Sequence, residues 1–98
     1  MSNQYFVYIT SCKNNSVFYT GITNDLIRRI YEHKNKITKG YTSKYNLDKL
    51  LYYEEFSDPE NAILREKQIK KYSQKKKINL IQKKNLGMYD LYDQIINL

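Results

Sequence analysis

Cysteine is nearly absent from this 98-residue chain, which has only Cys12. A single thiol can form neither an internal disulfide nor a cysteine metal cage, and this usage is typical of a reducing compartment. No apolar run comes near the roughly 18 residues that cross a bilayer. Polar residues within the first four positions do not match a secretory leader. These absences predict a cytoplasmic protein with no membrane partner.

Acidic residues are also scarce, and the segment between Glu66 and Asp90 contains none. The whole chain has 17 Lys plus Arg against 10 Asp plus Glu, a formal net charge of +7. The acid-free segment carries Lys67, Lys70, Lys71, Lys75, Lys76, Lys77, Lys83 and Lys84. A basic excess on one surface attracts a polyanion, most commonly nucleic acid. An A/T-rich genome gives lysine-rich proteins too, so charge alone does not identify the function.

The chain is long enough for one domain with one modest core, and no repeat or linker divides it. The aromatic and β-branched runs Tyr5–Thr10 and Val17–Ile22 predict two strands that pair antiparallel, which could bring Tyr8 near Tyr19. A third strand is predicted over Lys49–Phe56. Because glycine permits turns and close approaches, Gly21 predicts the end of the second strand.

A capped helix is predicted to begin near Asp25, where successive side-chain oxygens can accept from free backbone amides. At about 100° per residue, the apolar stripe comprises Leu26, Ile27, Ile30 and Tyr31, with Arg29 and His33 at its rim and Arg28 and Glu32 pointing away. Arg29 and His33 are one turn apart and form a candidate phosphate-handling pair. The alternative is an amphipathic helix with a snorkelling arginine and a surface histidine.

Ser57–Glu60 predicts the start of a helix that runs to about Tyr72, either as a capping box or with Asp58 as the cap and Pro59 first. Its inward side is expected to comprise Ala62, Ile63, Ile69 and Ser73, with Glu66 in the middle. A carboxylate there costs stability unless it is paired or metal-bound. Glu66 therefore either pairs with Arg29 or a tyrosine hydroxyl, or holds a cation in a cleft.

Two further helices are predicted, at Lys75–Asn85 with Gly87 as its stop, and near the C-terminus. The stretch Asn35–Asp48 has no helical period. Basic and aromatic side chains are interleaved in this stretch, and further lysines lie in the two lysine-rich helices. The candidates for nucleic-acid binding are Lys39, Tyr41, Lys44, Lys70, Lys71, Lys75 and Lys76. Such side chains suit backbone contact and base stacking, although a solvated connector fits residues 35–48 equally well.

The order and spacing of these residues resemble the GIY-YIG endonuclease domain in its small stand-alone bacterial form. The first motif is Val7-Tyr8-Ile9 and the second is Tyr19-Thr20-Gly21, followed by Arg29, His33 and Glu66 on the two helices; the likeness runs from about residue 5 to 85. Val7 stands where the motif begins with glycine. Ile22 stands where relatives such as the nuclease domain of bacterial excision repair have lysine. The missing lysine charge is expected to affect the rate of cleavage more than the class of reaction.

The resemblance implies an α+β fold, a three-stranded antiparallel sheet flanked by helices, in a single domain spanning 1–98 with its core at about 5–85 and a terminal helix at about 88–98. It implies a metal-dependent endonuclease that hydrolyses DNA, structured or single-stranded, in repair or recombination, with one Mg²⁺ or Mn²⁺. By motif position the catalytic residues are Tyr8, Tyr19, Arg29, His33 and Glu66. Glu66 would also be the metal ligand, Gly21 the structural turn, and Asn85 a looser match.

Within this resemblance we predict that Tyr19 is the base that activates water, that Tyr8 orients the water or metal, and that His33 positions or relays a proton. Arg29 would stabilise transition-state charge. The alternative is a non-catalytic nucleic-acid-binding module that keeps the fold. A third interpretation, a protein-interaction domain, is disfavoured because it does not explain a glutamate on the apolar face of a helix. Target choice would come from DNA shape or a protein partner.

Overall fold

Strand β1 is the centre of the molecule. In the computed structural model, which describes residues 4–37 and 40–97, β1 (Tyr5–Ser11), β2 (Phe18–Thr23) and β3 (Lys49–Phe56) form one sheet in the order β2-β1-β3. Both pairings are antiparallel, and Tyr8 lies opposite Gly21 on one side and Tyr53 on the other. The predicted three-stranded antiparallel sheet with flanking helices is confirmed.

The described residues form five helices, and a side chain caps the N-terminus of the first, third and fourth of them. They are α1 (Leu26–Lys34), α2 (Tyr41–Lys44), α3 (Pro59–Lys70), α4 (Gln74–Gln82) and α5 (Tyr92–Ile96). Asp25 accepts the amide of Arg28, and Asp58 accepts that of Asn61 with Pro59 as the first helical residue. Of the two predicted starts for α3, the aspartate cap is therefore the one that forms. Across residues 4–37 and 40–97, the helices are all too short or too polar to span a bilayer.

The sheet has an apolar cluster on each face, because successive side chains of a strand point to opposite sides. Val7 and Ile9 of β1 pack with Leu51 and with Ala62, Ile69 and Ile81 of α3 and α4. Tyr8 points to the other face and packs with Leu26, Ile30, Leu50 and Ile95. The hydroxyl end of Tyr8 is thus placed on the α1 side by the same alternation that builds the core.

The buried stripe of α1 is narrower than its wheel predicts. Leu26, Ile30 and His33 are buried, whereas Ile27 and Tyr31 are exposed. Because these three buried residues are spaced by four and then three positions, they lie on one side of the helix. His33 is therefore in the middle of the contact with the sheet rather than at its rim. On α3 the same correction applies, since Ile63 is exposed and Ser73 lies outside the helix as the exposed cap of α4.

Several predicted boundaries were wrong. Helix α3 ends at Lys70 rather than near Tyr72, and α4 ends at Gln82 rather than at Asn85. The chain leaves α4 early because the buried Asn85 amide donates to the carbonyls of Leu51 and Tyr89 and accepts the amide of Tyr89. Gly87 is therefore not the stop.

Two short helices also differ from their predictions. Helix α5, at Tyr92–Ile96, lies within the predicted segment 88–98 but is shorter than it. The stretch 35–48 contains α2, which has four residues and is too short to show a period. Both are held by tertiary contacts, since Ile95, Thr42 and Leu47 are buried.

Candidate active site

Gly21 is required by close packing and not by a turn. The prediction that it ends its strand was wrong, because β2 continues to Thr23. A Cβ added at Gly21 would lie 2.5 Å from Tyr8 Oη, 2.6 Å from Tyr8 Cζ and 2.8 Å from Tyr19 Cε2. The missing side chain provides the space in which the two tyrosine rings lie against β2.

We expect Gly21→Ala to destabilise the fold by about 1–3 kcal/mol, the usual cost of overpacking a tight interior. The buried Tyr8 ring cannot move away without disturbing its neighbours. Urea unfolding measures the loss. In a Tyr8→Leu background the same change should cost clearly less, because the closest atoms are then gone. An unchanged unfolding midpoint for Gly21→Ala alone would contradict the packing explanation.

The Tyr8 hydroxyl contacts the imidazole of His33. The distance from Tyr8 Oη to His33 Nε2 is 3.1 Å, and both side chains are buried. The Tyr19 ring lies 6.2 Å from the Tyr8 ring and edge-on to His33 at 6.1 Å between centroids. The predicted proximity of the two tyrosines is confirmed. His33 is therefore neither the surface residue of the alternative interpretation nor a rim residue.

Burial keeps both members of this hydrogen bond neutral near pH 7. It is the main reason that the pKa of Tyr8 is raised above its ordinary value; Tyr19 and Glu66 raise it further, whereas Arg29 lowers it. Burial, followed by the positive charge of Arg29, lowers the pKa of His33. A neutral imidazole beside a neutral phenol can accept the phenolic proton.

Arg29 is held from within its own helix. Its Nη1 lies 3.8 Å from Oε1 of Glu32. The prediction that Glu32 points away was wrong, because side chains three residues apart on a helix can meet. The Nε of Arg29 is buried and has no hydrogen-bond partner among the residues that the structure describes. The Arg29 side chain as a whole is 33% exposed, so a ligand can reach it although this Nε is shielded.

Glu66 lies inward on α3, with its side chain 16% exposed, and Lys70 Nζ is 3.4 Å from its Oε2. Of the alternatives expected for Glu66, the ion pair with Arg29 is not the one observed, since Arg29 pairs with Glu32 and the helix brings Lys70 alongside Glu66 one turn later. The charge of Glu66 still raises the pKa of Tyr8. Its carboxylate therefore lies within electrostatic reach of the Tyr8 hydroxyl.

The residues present fit a hard divalent cation that is held only partly by protein. Within residues 4–37 and 40–97, no three His, Cys, Asp or Glu side chains converge into a ligand cluster. Mg²⁺ commonly keeps several waters and binds through one or two carboxylates plus substrate phosphates. Glu66 supplies such a carboxylate, and its contact with the half-exposed Lys70 is loose enough to be exchanged.

The residues predicted to bind nucleic acid are only partly brought to this site. Tyr41 lies against Tyr19, with 6.3 Å between ring centroids, and Lys70 pairs with Glu66. Lys44 Nζ lies over the ring of Tyr45 at 5.4 Å. Lys71, Lys75 and Lys76 are exposed around the junction of α3 and α4. Lys39 lies outside the described residues. The role of all seven stays a prediction.

Sequence reasoning missed two residues and overread one. It placed Glu32 away from the site and left Tyr45 out of the predicted set, although its spacing of four from Tyr41 was the available signal. Asn85, the loosely matched asparagine, is occupied by backbone hydrogen bonds and closes the end of α4. Its observed role is structural.

The sheet, its helices and this cluster define a nuclease fold, and the sequence comparison agrees. Residues 4–79 match the family model described as the GIY-YIG catalytic domain. Because the match covers most of the chain, the protein belongs to the GIY-YIG family. A GIY-YIG domain suggests nuclease activity and nucleic-acid binding.

More particularly, the chain is similar to proteins named UPF0213. A UPF0213 protein of Clostridium perfringens is 40% identical over 93 residues, covering 95% of this chain and 98% of that protein. UPF0213 protein YazA of Bacillus subtilis is 36% identical over 91 residues, covering 93% and 91%. The solution NMR structure of a UPF0213 protein from Bacillus halodurans superposes with a TM-score of 0.54 at 34% identity, covering 84% and 86%. Small stand-alone GIY-YIG proteins are thus its relatives along nearly the full length.

Proposed function

We propose that the protein is an endonuclease that hydrolyses DNA phosphodiester bonds with one divalent cation, Mg²⁺ or Mn²⁺. The observation that carries the proposal is the environment of the Tyr8 hydroxyl. It contacts a buried histidine and lies in the electrostatic field of both Arg29 and Glu66. A proton acceptor at the hydroxyl, with a guanidinium and a carboxylate in its electrostatic field, supplies the groups that phosphodiester hydrolysis requires.

Water is the nucleophile in this mechanism, and its proton leaves through a relay. As the water gives its proton to Tyr8 Oη, Tyr8 passes its own proton to Nε2 of His33, which lies 3.1 Å away. The relay forms no lasting phenolate, so the raised pKa of Tyr8 does not prevent it. It uses the neutral imidazole tautomer with its proton on Nδ1. His33 is then the final acceptor.

The sequence-based assignment of Tyr19 as the base stays a prediction beside this relay. Tyr19 is more accessible than Tyr8 and packs edge-on against His33. The hydrogen bond of Tyr8 to the imidazole favours Tyr8 as the hydroxyl coupled to His33. A comparison of Tyr8→Phe with Tyr19→Phe distinguishes Tyr8 from Tyr19 as the hydroxyl that accepts the proton of water.

The two charged side chains have complementary tasks. Arg29, whose side chain is 33% exposed, would pair with phosphate oxygens, while Glu32 holds the guanidinium in place. Glu66 would hold the divalent cation together with substrate oxygens. When bound, such a cation supplies Lewis-acid stabilisation of the charge that develops on the phosphate. Cytoplasmic DNA repair or recombination is the setting that this activity fits, with target choice from DNA shape or a protein partner.

The direct test is cleavage of labelled single-stranded, duplex and branched DNAs, with matched RNAs, in Mg²⁺, Mn²⁺ or EDTA. We expect cutting of at least one DNA only with a divalent cation. Binding measured in EDTA should weaken steeply with salt, because lysine and arginine contacts to phosphate release counterions. Tight binding without cutting in any metal would contradict the nuclease proposal and favour the non-catalytic binding module.

A further inference from the structure

A row of aromatic rings leads out of the active site onto the surface. From His33 the ring centroids are separated by 6.1 Å to Tyr19, 6.3 Å to Tyr41 and 4.8 Å to Tyr45. The outer two rings are well exposed, with Tyr41 at 53% and Tyr45 at 41%. Adjacent exposed aromatic rings continuous with a catalytic centre provide a surface on which flat ligands can stack.

These exposed rings belong to an anchored segment. Thr42 and Leu47 are buried, and the Leu47 amide donates to the Thr42 carbonyl at 2.8 Å. Tyr41 and Tyr45 lie four residues apart on the outer side of this turn. Lys44 Nζ lies over the Tyr45 ring. The two rings are therefore presented to solvent by a fixed turn.

A groove runs between these rings and the β1–β2 loop. It consists of two cavities, of about 240 Å³ beside Tyr41 and about 750 Å³ beside Tyr45, and Ser16 and Val17 line both. Lys77 lines the first cavity and Lys13 the second. None of the described residues that line either cavity carries a carboxylate. The groove therefore attracts anions along an aromatic wall.

A surface cavity at the N-terminal end of α1 has the opposite character. Its volume is about 440 Å³, and its lining includes Asp25 and Glu55. A polyanionic strand would be repelled there. A third cavity, of about 650 Å³, is lined by four lysines with Asp48 and Asp90 but by no aromatic ring among the described residues. The tyrosine groove is therefore the one that combines positive charge with a stacking surface beside the site.

We propose that this groove is a subsite for an unpaired nucleotide next to the scissile phosphate. A base stacks on Tyr41 and Tyr45, and the backbone phosphates lie near Lys13, Lys44 and Lys77. The faces of a base in a duplex are covered by its neighbours, so the subsite selects a single strand, or a strand opened at a fork or flap. The inference rests on the proposed function, because it names the substrate class for the same site.

Binding in EDTA tests the subsite without requiring cleavage. The probe is a short fluorescent single-stranded oligonucleotide, compared with a duplex of the same length. We expect Tyr41→Ala and Tyr45→Ala each to weaken single-strand binding about 5- to 150-fold, the range found for loss of one stacked base. Duplex binding should change less than about threefold if its bases do not stack. Tyr89→Ala is the matched control, because Tyr89 is 71% exposed and lines neither cavity.

Phenylalanine variants separate stacking from loss of fold. Tyr41→Phe and Tyr45→Phe keep the ring and should retain single-strand affinity. An oligonucleotide with 2-aminopurine beside the scissile position should lose fluorescence on binding wild type and regain it with Tyr41→Ala. Equal losses on single strand and duplex, or variants that bind like Tyr89→Ala, would overturn the proposal.

The outcomes also distinguish this proposal from the nuclease proposal. If the protein never cuts DNA but loses single-strand binding with Tyr41→Ala, the subsite stands and the nuclease function fails. If it cuts and binds single strands equally with and without the two tyrosine rings, the nuclease function stands and the subsite is wrong.

Discussion

Glu66→Ala is expected to lower metal-dependent DNA cleavage at least about 1,000-fold. Glu66 is the inward carboxylate of α3, and its charge reaches the Tyr8 hydroxyl. Without it the site loses the protein ligand for the cation. DNA binding in EDTA should stay equal or become slightly tighter, because one negative charge is gone and Lys70 is released toward phosphate. Cleavage rates and affinities measured on the same labelled DNA give both numbers.

Two variants control for structure in this experiment. Glu60→Ala removes an exposed carboxylate from the first turn of the same helix and should cut like wild type. Glu66→Gln keeps the shape of the side chain and loses only its charge. Its ion pair with the half-exposed Lys70 is a surface pair, worth about 0–1 kcal/mol, so Glu66→Gln should remain folded. Wild-type cleavage by Glu66→Gln would leave Glu66 as a structural partner of Lys70.

Tyr8→Phe is expected to slow cleavage about 100- to 10,000-fold, the usual contribution of a positioned proton-transfer group. Tyr19→Phe should slow it less than about tenfold, because the relay runs from Tyr8 to His33. Tyr8→Phe also leaves a buried nitrogen of His33 without its hydrogen-bond partner, which should lower the free energy of unfolding by about 1–3 kcal/mol. Urea unfolding of the variant must therefore accompany the cleavage assay. The reverse ranking of the two variants would establish Tyr19 as the base and exclude the relay.

The pH profile provides a second measurement of the relay. Burial and Arg29 lower the pKa of His33, so the imidazole is neutral at pH 7 and can accept a proton. Wild-type cleavage should fall only when the pH drops through this lowered pKa, below the ordinary histidine value of about 6.5. The residual cleavage by Tyr8→Phe should not show this decrease at low pH. Stability should also fall below about pH 6.5, since unfolded His33 then binds a proton that the folded form resists.

The strands and helix starts could be predicted because they are encoded locally. The apolar and aromatic run at 50–53 places the third strand at its observed bounds, Lys49–Phe56, and the Asp58 and Pro59 pair starts α3 where expected. A helical wheel gives the direction of Glu66 correctly. It does not give the partner, because that choice depends on distances between side chains, and the i+4 lysine was nearer than Arg29.

The centre of the site could be predicted only in part. Two strands joined by a short loop bring Tyr8 and Tyr19 together, as expected. The hydrogen bond between Tyr8 and His33 joins residues 25 positions apart and depends on how deeply α1 packs on the sheet. The role of Gly21 also depends on a residue that is distant in the sequence. What excludes its Cβ is the ring of Tyr8, which comes from the neighbouring strand.

The central position of β1 also bears on when a newly synthesised chain could become active. Domains are made from the N-terminus onward, so the β1–β2 hairpin and α1 leave the ribosome carrying Tyr8, Tyr19, Arg29 and His33. The third strand, which closes the other edge of β1, and Glu66 of α3 follow later. On the mechanism proposed above, a nascent or prematurely terminated chain would have the proton-handling half of the site without its carboxylate, so cleavage would begin only after α3 is made.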